Sequence, residues 1–276
     1  MTAIWSGVVQ KMRVEAQDTV SYTLIDATLE VEEAQQLNMN ERIGDRLTLR
    51  FDGQKSCVLC GRSVRKLYNQ GACYPCLTTR PETDGCIVRP HECHFFEPDN
   101  PCRDEEFAFE RCFQPHVLYA ALTSGPKVGI TRQTQVPTRW MDQGATEAII
   151  VARMGSRREV GLAEHALANE FADRTDWRRM LRGEAPEVNL RDFADQVGGR
   201  LSELGLGTPL PGDEQEHYRF TYPASGAPDP LVSVKLDKTP ELEGSLMGIK
   251  GQYLLFDTGV INLRSHSGFH VEIESA

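Results

Sequence analysis

Hydrophobic and polar residues alternate in two stretches of the N-terminal segment, residues 1–56. Thr19–Ile25 and Arg46–Phe51 place apolar side chains at every second position, which is typical of strands with one buried face. Between them, the run from Val31 to Gln36 is rich in Glu, Ala and Gln and predicts a short helix.

The segment 115–182 predicts the element order β-β-α-β-α. Turn formers separate its first two apolar runs at hairpin distance, Pro137 suits a helix start, and Gly144 suits its end. Apolar residues then recur at spacings of three and four, which is typical of an amphipathic helix. The predicted elements are strands His116–Leu122, Lys127–Arg132 and Glu147–Arg153 and helices Pro137–Gln143 and Ser156–Arg174.

Residues 183–276 predict one helix followed by strands. Residues 183–217 are acidic and predict a helix over Leu190–Leu204 followed by a Gly/Pro-rich linker. Short strands with regular turns then predict a small antiparallel sheet or barrel, with or without the N-terminal strands. These strands are Leu231–Leu236, Gln252–Phe256, Val260–Arg264 and Phe269–Ile273.

Composition and charge exclude several classes. The 276 residues are 40% hydrophobic and 25% charged, with a net charge of −10, as in an ordinary globular protein. The chain contains no run of about 18 apolar residues, which is the length that a membrane span needs. Its first ten residues lack the pattern of a secretory signal. We therefore expect a cytoplasmic protein without a membrane partner. The negative total argues against a general basic coat but allows a local basic site.

All eight cysteines lie between residues 57 and 112. Reduced thiols gathered in this way usually hold metal. Cys57-x-x-Cys60 and Cys73-x-x-Cys76 are separated by twelve residues and predict two turns that give four thiolates to a structural zinc. The alternative is free thiols or a redox pair. Four protein ligands would leave no open position for catalysis.

The other four cysteines have irregular gaps: Cys86, Cys93, Cys102 and Cys112. They predict a second zinc, with these four thiols or with a histidine in place of Cys102, since His91 and His94 lie among them. The alternative is that these thiols bind nothing. We therefore expect one or two zinc ions.

A local positive region overlaps the first zinc motif. Residues 57–80 contain no acid, and tyrosines alternate with cations there, an arrangement suited to phosphate contacts and base stacking. The alternative is an ordinary solvated face. The predicted nucleic-acid contacts in this region are Arg62, Arg65 and Lys66, near Tyr68 and Tyr74.

Short motifs in the segment 115–178 resemble the GIY-YIG nuclease superfamily. They are Leu118–Leu122, Lys127–Arg132, Thr138–Trp140 and Glu164, and they are most similar to the divergent branch whose second motif reads Lys-Ile/Val-Gly-Ile-Thr. The whole chain resembles an uncharacterised bacterial family that joins a cysteine-rich module to such a core.

The resemblance implies roles for particular residues. Tyr119 would lie near the attacking water, Arg139 would contact the scissile phosphate, and Glu164 would hold one divalent cation, Mg²⁺ or Mn²⁺. Gly129 matches the second-motif glycine. Lys127 replaces the second-motif tyrosine and is the fourth predicted catalytic residue, since its ammonium group can bind phosphate.

Two further residues complete the predicted nucleic-acid contacts in this segment. Gln143 replaces a His or Tyr of the family, and it can orient water but cannot transfer a proton at neutral pH. Arg132 belongs to a local excess of ten basic over seven acidic residues between positions 127 and 182.

The sequence thus predicts an α+β protein in five segments. They are an N-terminal β segment (1–56), a zinc-ribbon-like cysteine-rich module (57–114), a GIY-YIG-like core (115–182), an acidic helix and linker (183–217), and a C-terminal β domain (218–276). The predicted function is binding of DNA or RNA, with metal-dependent phosphodiester hydrolysis as a further hypothesis. The alternatives are binding without catalysis and a zinc-stabilised protein-interaction module.

Overall fold

The computed structural model describes residues 2–28, 35–224 and 226–276. The strands are β1 (Thr2–Val8), β2 (Arg13–Glu15), β3 (Ser21–Ile25), β4 (Gln36–Asn38), β5 (Arg46–Lys55), β6 (His116–Leu122), β7 (Pro126–Arg132), β8 (Glu147–Met154), β9 (His217–Arg219), β10 (Glu241–Lys250), β11 (Tyr253–Phe256), β12 (Gly259–Asn262) and β13 (Phe269–Ser275). The helices are α1 (Tyr74–Thr79), α2 (Gly85–Val88), α3 (Glu105–Arg111), α4 (Thr138–Asp142), α5 (Arg157–Leu167), α6 (Trp177–Arg182) and α7 (Leu190–Glu203). Within these ranges, no helix has the length and apolar character needed to span a bilayer.

The chain is α+β and divides into two compact units. Unit 1 comprises Met1–Thr78 and Thr221–Ala276, and unit 2 comprises Thr79–Phe220. The boundary at residue 78 falls inside the segment 57–114 that we predicted as one cysteine-rich module. Four cysteines therefore belong to each unit.

Unit 1 is built on a six-stranded sheet with the strand order β1-β13-β5-β10-β11-β12. All its neighbouring strands are antiparallel. Two N-terminal strands, β1 and β5, flank the C-terminal β13, so the N-terminal strands do complete the predicted C-terminal sheet. A smaller antiparallel sheet, β2-β3-β4, completes the strands of this unit.

The predictions for unit 1 differ from the structure at some elements. The predicted strand Leu231–Leu236 is wrong, because this segment makes only a single bridge, from Ser233 to Val260. The ten-residue strand β10 was not predicted, and neither were the individual strands β1, β2 and β4. The predicted helix Val31–Gln36 lies outside the described residues except for its end, where Gln36 begins β4.

Unit 2 is a four-stranded antiparallel sheet covered on both faces. Its order is β7-β6-β8-β9, and the connections β6-β7-α4-β8-α5 match the predicted β-β-α-β-α order. Helices α5 and α7 pack buried side chains such as Val160 and Val197 on one face. Trp140 of α4 is buried on the other face with Tyr119. Helix α5 ends at Leu167 and not near Arg174 as predicted.

A buried histidine at the start of β6 makes the stability of unit 2 depend on pH. His116 is 0% exposed, its Nδ1 donates to the Gln114 carbonyl at 2.6 Å, and Nε2 has no hydrogen-bond partner among the described residues. Burial lowers the pKa of His116 to about 4, although the Gln114 hydrogen bond opposes this effect.

We expect His116 to stabilise unit 2 only at higher pH. The ordinary histidine pKa is 6.5, so the unfolded chain takes up this proton first as the pH falls. The contribution is complete above pH 6.5 and decreases by about 1.4 kcal/mol per pH unit between pH 6.5 and 4. Urea unfolding at several pH values measures it. His116→Asn keeps a donor for Gln114 and should show a smaller acid slope; equal slopes would contradict the assignment.

Candidate functional site

Four cysteines of unit 1 form a cluster with the geometry of a metal site. The sulfurs of Cys57, Cys60, Cys73 and Cys76 all lie within 4.8 Å of one another. Cys60 Sγ is 3.8 Å from Cys73 Sγ, and the Cys73 amide donates to Cys57 Sγ at 3.2 Å. Four thiolates so placed suit tetrahedral zinc and leave no ligand position open. This cluster confirms that the two Cys-x-x-Cys motifs come together.

Local backbone geometry places the four-thiol cluster against the sheet of unit 1. The amide of Gly61 donates to the Cys57 carbonyl at 2.8 Å and has a φ of +70°, which closes the first turn. Gly71 has a φ of +103°, and a Cβ there would lie 3.0 Å from the Ser267 carbonyl oxygen. The second turn therefore needs glycine both for its conformation and for its close approach to the β12–β13 connection.

The thiols differ in acidity in a way that suits metal binding. Burial raises the pKa of Cys57, but amide hydrogen bonds from Cys73, Leu59 and Cys60 outweigh it and lower the value to about 7. Burial and hydrogen bonds with the neighbouring thiols raise the pKa of Cys76 to about 12. The first thiolate thus forms near neutral pH, and the last needs a cation to stabilise it, so zinc binding would release protons.

The other four cysteines do not form a comparable cluster. No three sulfurs of the predicted second site, Cys86, Cys93, Cys102 and Cys112, lie within 4.8 Å of one another. Burial and, after it, the nearby Asp84, Cys93 and Cys112 raise the pKa of Cys86 to about 12. These sulfurs are therefore electrostatic neighbours without the spacing of zinc ligands.

One histidine, His94, lies close to a cysteine of the second group. Ligand atoms of Asp84, Cys86 and His94 lie within 4.8 Å of one another. The Asp84 carboxylate already accepts from His94 Nε2 at 3.2 Å and forms an ion pair with Arg103 at 2.9 Å, which explains this grouping without a metal. His91 instead stacks on His165, with ring centroids 3.9 Å apart.

In unit 2, the ring of Tyr119 lies over the neighbouring strand β7. Tyr119 of β6 is directly opposite Gly129 of β7 and is 1% exposed. A Cβ on Gly129 would lie 2.6 Å from the Tyr119 hydroxyl oxygen, so the ring occupies the space that a side chain would need. Position 129 therefore holds glycine for a steric reason, because a side chain there would clash with the Tyr119 ring.

Helix α4 brings two polar side chains to the Tyr119 hydroxyl. This hydroxyl donates to Gln143 Oε1 at 3.1 Å. Burial raises the pKa of Tyr119, the adjacent Arg139 guanidinium lowers it, Glu164 raises it, and the net shift is upward. Tyr119 is therefore a neutral phenol at neutral pH.

Opposite charges surround this phenol. Lys127 is 3% exposed. Burial and then Arg139 lower its pKa, Glu164 and Asp173 raise it, and the net value is about 8. Burial raises the pKa of Glu164, while Arg139 and Lys127 lower it. The structure thus brings five predicted residues into electrostatic or hydrogen-bond reach. We call them the Tyr119 cluster: Tyr119, Lys127, Arg139, Gln143 and Glu164.

Two further charges near the Tyr119 cluster were not predicted. Asp173 follows α5, and the Val128 amide of β7 donates to the adjacent Ala172 carbonyl at 2.8 Å, which places Asp173 near Lys127. Arg157, at the start of α5, acts electrostatically on Glu164. No sequence motif marks either residue, because both positions depend on the packing of α5 and its following segment.

Replacing Gly129 with alanine should disturb the Tyr119 cluster. The new methyl group would occupy space held by the Tyr119 ring, whose edge also contacts Trp140 at a centroid distance of 5.5 Å. We expect a loss of about 1–3 kcal/mol in the free energy of unfolding. Gly125→Ala in the same hairpin, where a Cβ has nothing within 4 Å, is the control and should change stability little. Equal effects would contradict the steric explanation.

The remaining predicted contact residues lie at two separate places. Arg62, Arg65 and Lys66 are exposed in unit 1. Arg132 of β7 is partly buried in unit 2; burial lowers its pKa, as do the charges of Arg111 and Arg157. Arg132 thus lies in a positively charged environment beside the thiol of Cys112.

The fold and these sites define a two-unit α+β protein with a four-thiol centre in one unit and a buried charged cluster in the other. The chain belongs to the DUF2797 family, described as a protein of unknown function, whose family model matches residues 44–271. The match covers every candidate site residue named above. No curated protein and no solved structure matches the chain.

Proposed function

We propose that this protein holds a structural zinc in unit 1 and binds nucleic acid, with a backbone phosphate held at the Tyr119 cluster of unit 2. We further propose that the cluster hydrolyses the phosphodiester when a divalent cation binds Glu164. The order β6-β7-α4-β8-α5 and the positions of Tyr119, Gly129, Arg139 and Glu164 support the resemblance to GIY-YIG nucleases on which the hydrolysis rests.

The observation that carries the proposal is the state of Lys127. It is almost fully buried, and the charges that act on its ammonium group are those of Arg139, Glu164 and Asp173. Burying a cation is costly unless nearby negative charge offsets it. A phosphate oxygen beside Lys127 would add such a charge, because phosphate accepts several charge-assisted hydrogen bonds.

The surrounding charges also favour an anion. Arg139 and Arg157 add to the positive charge of Lys127, while Glu164 and Asp173 are the carboxylates that act on the cluster. Arg139, Gln143 and Glu164 remain partly exposed, so a ligand can reach them. The planar fork of Arg139 is suited to contact two phosphate oxygens.

In the proposed hydrolysis, the residues of the Tyr119 cluster have different roles. A divalent cation on the Glu164 carboxylate would offset the charge that develops on the phosphate. Lys127 and Arg139 stabilise the same charge by direct contact. Tyr119 stays protonated and donates to Gln143, so these two residues orient the attacking water. The water oxygen bonds to phosphorus and releases a proton to solvent, the ester bond to the leaving oxygen breaks, and the leaving oxygen takes up a proton from solvent.

One observation favours binding without catalysis. In the GIY-YIG superfamily that the core resembles, the positions of Lys127 and Gln143 hold a second tyrosine and a His or Tyr. The raised pKa of Tyr119 keeps it protonated, so it is a weak proton acceptor. No residue of the cluster is therefore suited to remove the proton from water. In this second candidate function, the same residues hold a phosphate but do not cut.

Lys127→Met tests phosphate binding at the cluster. Fluorescence anisotropy with labelled single-stranded and duplex oligonucleotides should show affinity reduced at least tenfold for both, since a direct charged contact is lost. Arg158→Met removes one exposed positive charge from α5 and should reduce affinity much less. Equal losses in the two variants, or no binding by the wild-type protein at low salt, would contradict the proposal.

A further inference from the structure

The segment that holds the four-thiol cluster of unit 1, residues 57–76, carries aromatic and positive side chains that are exposed or partly exposed. We call this set of side chains the knuckle face, and it consists of Arg62, Arg65, Lys66, Tyr68 and Tyr74. Tyr74 directly follows Cys73 at the start of α1. Its position is therefore tied to the sulfur cluster.

The two tyrosines of the knuckle face form an aromatic pair with one free ring. Their ring centroids are 6.0 Å apart and the ring planes meet at 60°. Tyr74 is 62% exposed, whereas Tyr68 is partly covered and has Lys66 Nζ 4.8 Å above its ring. Tyr68 thus supports Tyr74 from the side, and the Tyr74 ring offers an open surface.

The turn between the tyrosines is held firmly in unit 1. The amide of Tyr68 donates to the Ala72 carbonyl at 2.7 Å, and the amide of Ala72 donates back at 2.8 Å. Gln70 Oε1 accepts from both Nε and Nη2 of Arg264, at 3.1 and 2.8 Å. A surface that is already ordered loses little conformational entropy when a ligand binds.

The charge of the knuckle face is unbalanced. Residues 57–80 contain no acid, and among the described residues neither Arg62 nor Arg65 forms an ion pair. In a chain with a net charge of −10, this is a local positive region. Proteins that bind single-stranded nucleic acid combine such cations with exposed aromatic rings, and this short segment carries both.

We propose that the knuckle face binds an unpaired nucleotide of a single-stranded nucleic acid, with the base stacked on Tyr74 and the backbone phosphates at Arg62 and Arg65. This inference rests on the proposed function and specifies its substrate class. Bases in a duplex already stack on their neighbours and cannot lie on a protein ring without leaving the helix. The knuckle face therefore discriminates between single strands and duplexes.

Tyr74→Ala and Tyr74→Phe, made in the zinc-loaded full chain, test this inference. Fluorescence anisotropy is measured with labelled 20-mers of oligo-dT and oligo-rU and with a 20-base-pair duplex. We expect Tyr74→Ala to weaken single-strand binding about 5- to 150-fold, as the loss of one stacked base implies, and to leave duplex binding unchanged. Tyr74→Phe keeps the ring and should bind like wild type. The dT and rU arms distinguish DNA from RNA.

The outcomes separate this inference from the proposed function. Equal effects of Tyr74→Ala on single strands and duplex, or no effect at all, would overturn the inference while Lys127→Met still tests the Tyr119 cluster. Absence of any nucleic-acid binding by the wild-type protein would overturn both. Zinc content measured on each variant shows whether the four-thiol cluster is intact, so a weakening that accompanies zinc loss would count against stacking.

Discussion

Replacing Cys76 with serine is expected to remove zinc from unit 1 and to unfold the segment around the four-thiol cluster. Structural zinc contributes about 10–16 kcal/mol of apparent binding free energy in zinc-finger peptides, and few apolar residues, among them Leu59 and Val64, pack against the cluster. The six-stranded sheet has its own buried core, including Leu49 and Phe256, so we expect the sheet to remain folded.

Metal analysis and hydrogen exchange measure these two effects. The wild-type protein should retain zinc after dialysis, whereas Cys76→Ser should lose it and show fast exchange over residues 57–78 with continued protection in β5 and β13. Cys102→Ser, in unit 2, is the matched control and should keep the zinc of unit 1. Retention of all zinc by Cys76→Ser would exclude the four-thiol centre.

Replacing Glu164 with glutamine is expected to abolish Mg²⁺- or Mn²⁺-dependent cleavage, with a decrease of at least about 100-fold, while nucleic-acid binding persists. The amide keeps the size of the side chain but is a much poorer ligand for a divalent cation. Its neutrality also leaves Lys127 and Arg139 free to hold phosphate. Cleavage of labelled oligonucleotides at several metal concentrations, beside an anisotropy measurement, separates the two effects.

Glu170→Gln provides the control for Glu164→Gln. Glu170 is exposed just after α5 and forms an ion pair with Arg200 at 2.7 Å, a contact of small energetic value at a surface. Its loss should leave cleavage unchanged. Undiminished cleavage by Glu164→Gln would exclude the proposed mechanism. Binding without cleavage in the wild-type protein, with either metal, would establish the non-catalytic candidate instead.

The alternating pattern of the chain predicted eight of the 13 described strands. Glycine explains why the longest of the others, β10, was not predicted. The inward positions of β10 include Gly244 and Gly248, which offer no apolar side chain to the pattern. A Cβ on Gly244 would lie 2.4 Å from Asp257 Oδ1, and one on Gly248 would lie 2.5 Å from Ala224 Cα. These positions are small because other chain segments approach them, and such tertiary contacts leave no local signal.

Periodicity also predicted too much in two places. Phe171 continues the apolar spacing of α5, but it packs on the same core after the helix has ended at Leu167. The alternation in Leu231–Leu236 is real, and the Val234 amide donates to the Val260 carbonyl at 2.9 Å, yet Val232 stays 49% exposed. Apolar spacing reports which side chains approach a core and does not report whether the backbone pairs.

The candidate sites were predictable where local order determines them. The two Cys-x-x-Cys turns and the Tyr119–Gly129 pair depend on short motifs and one hairpin, so sequence was sufficient. The spacing of the other cysteines, by contrast, is irregular, and the structure leaves their sulfurs apart. Asp173 acts on Lys127 and Glu164, and Arg157 acts on Glu164, only because of the way in which α5 packs, which no motif encodes.

The strand order of unit 1 has a consequence for synthesis on the ribosome. Strand β13 lies between β1 and β5. Strand β1 therefore cannot pair in this sheet until β13, which is much later in the sequence, has been synthesised. Unit 2 is continuous in sequence and can fold as soon as it has left the exit tunnel. Early termination within the last strand would leave the edges of β1 and β5 open to pairing with other chains, even though unit 2 is complete.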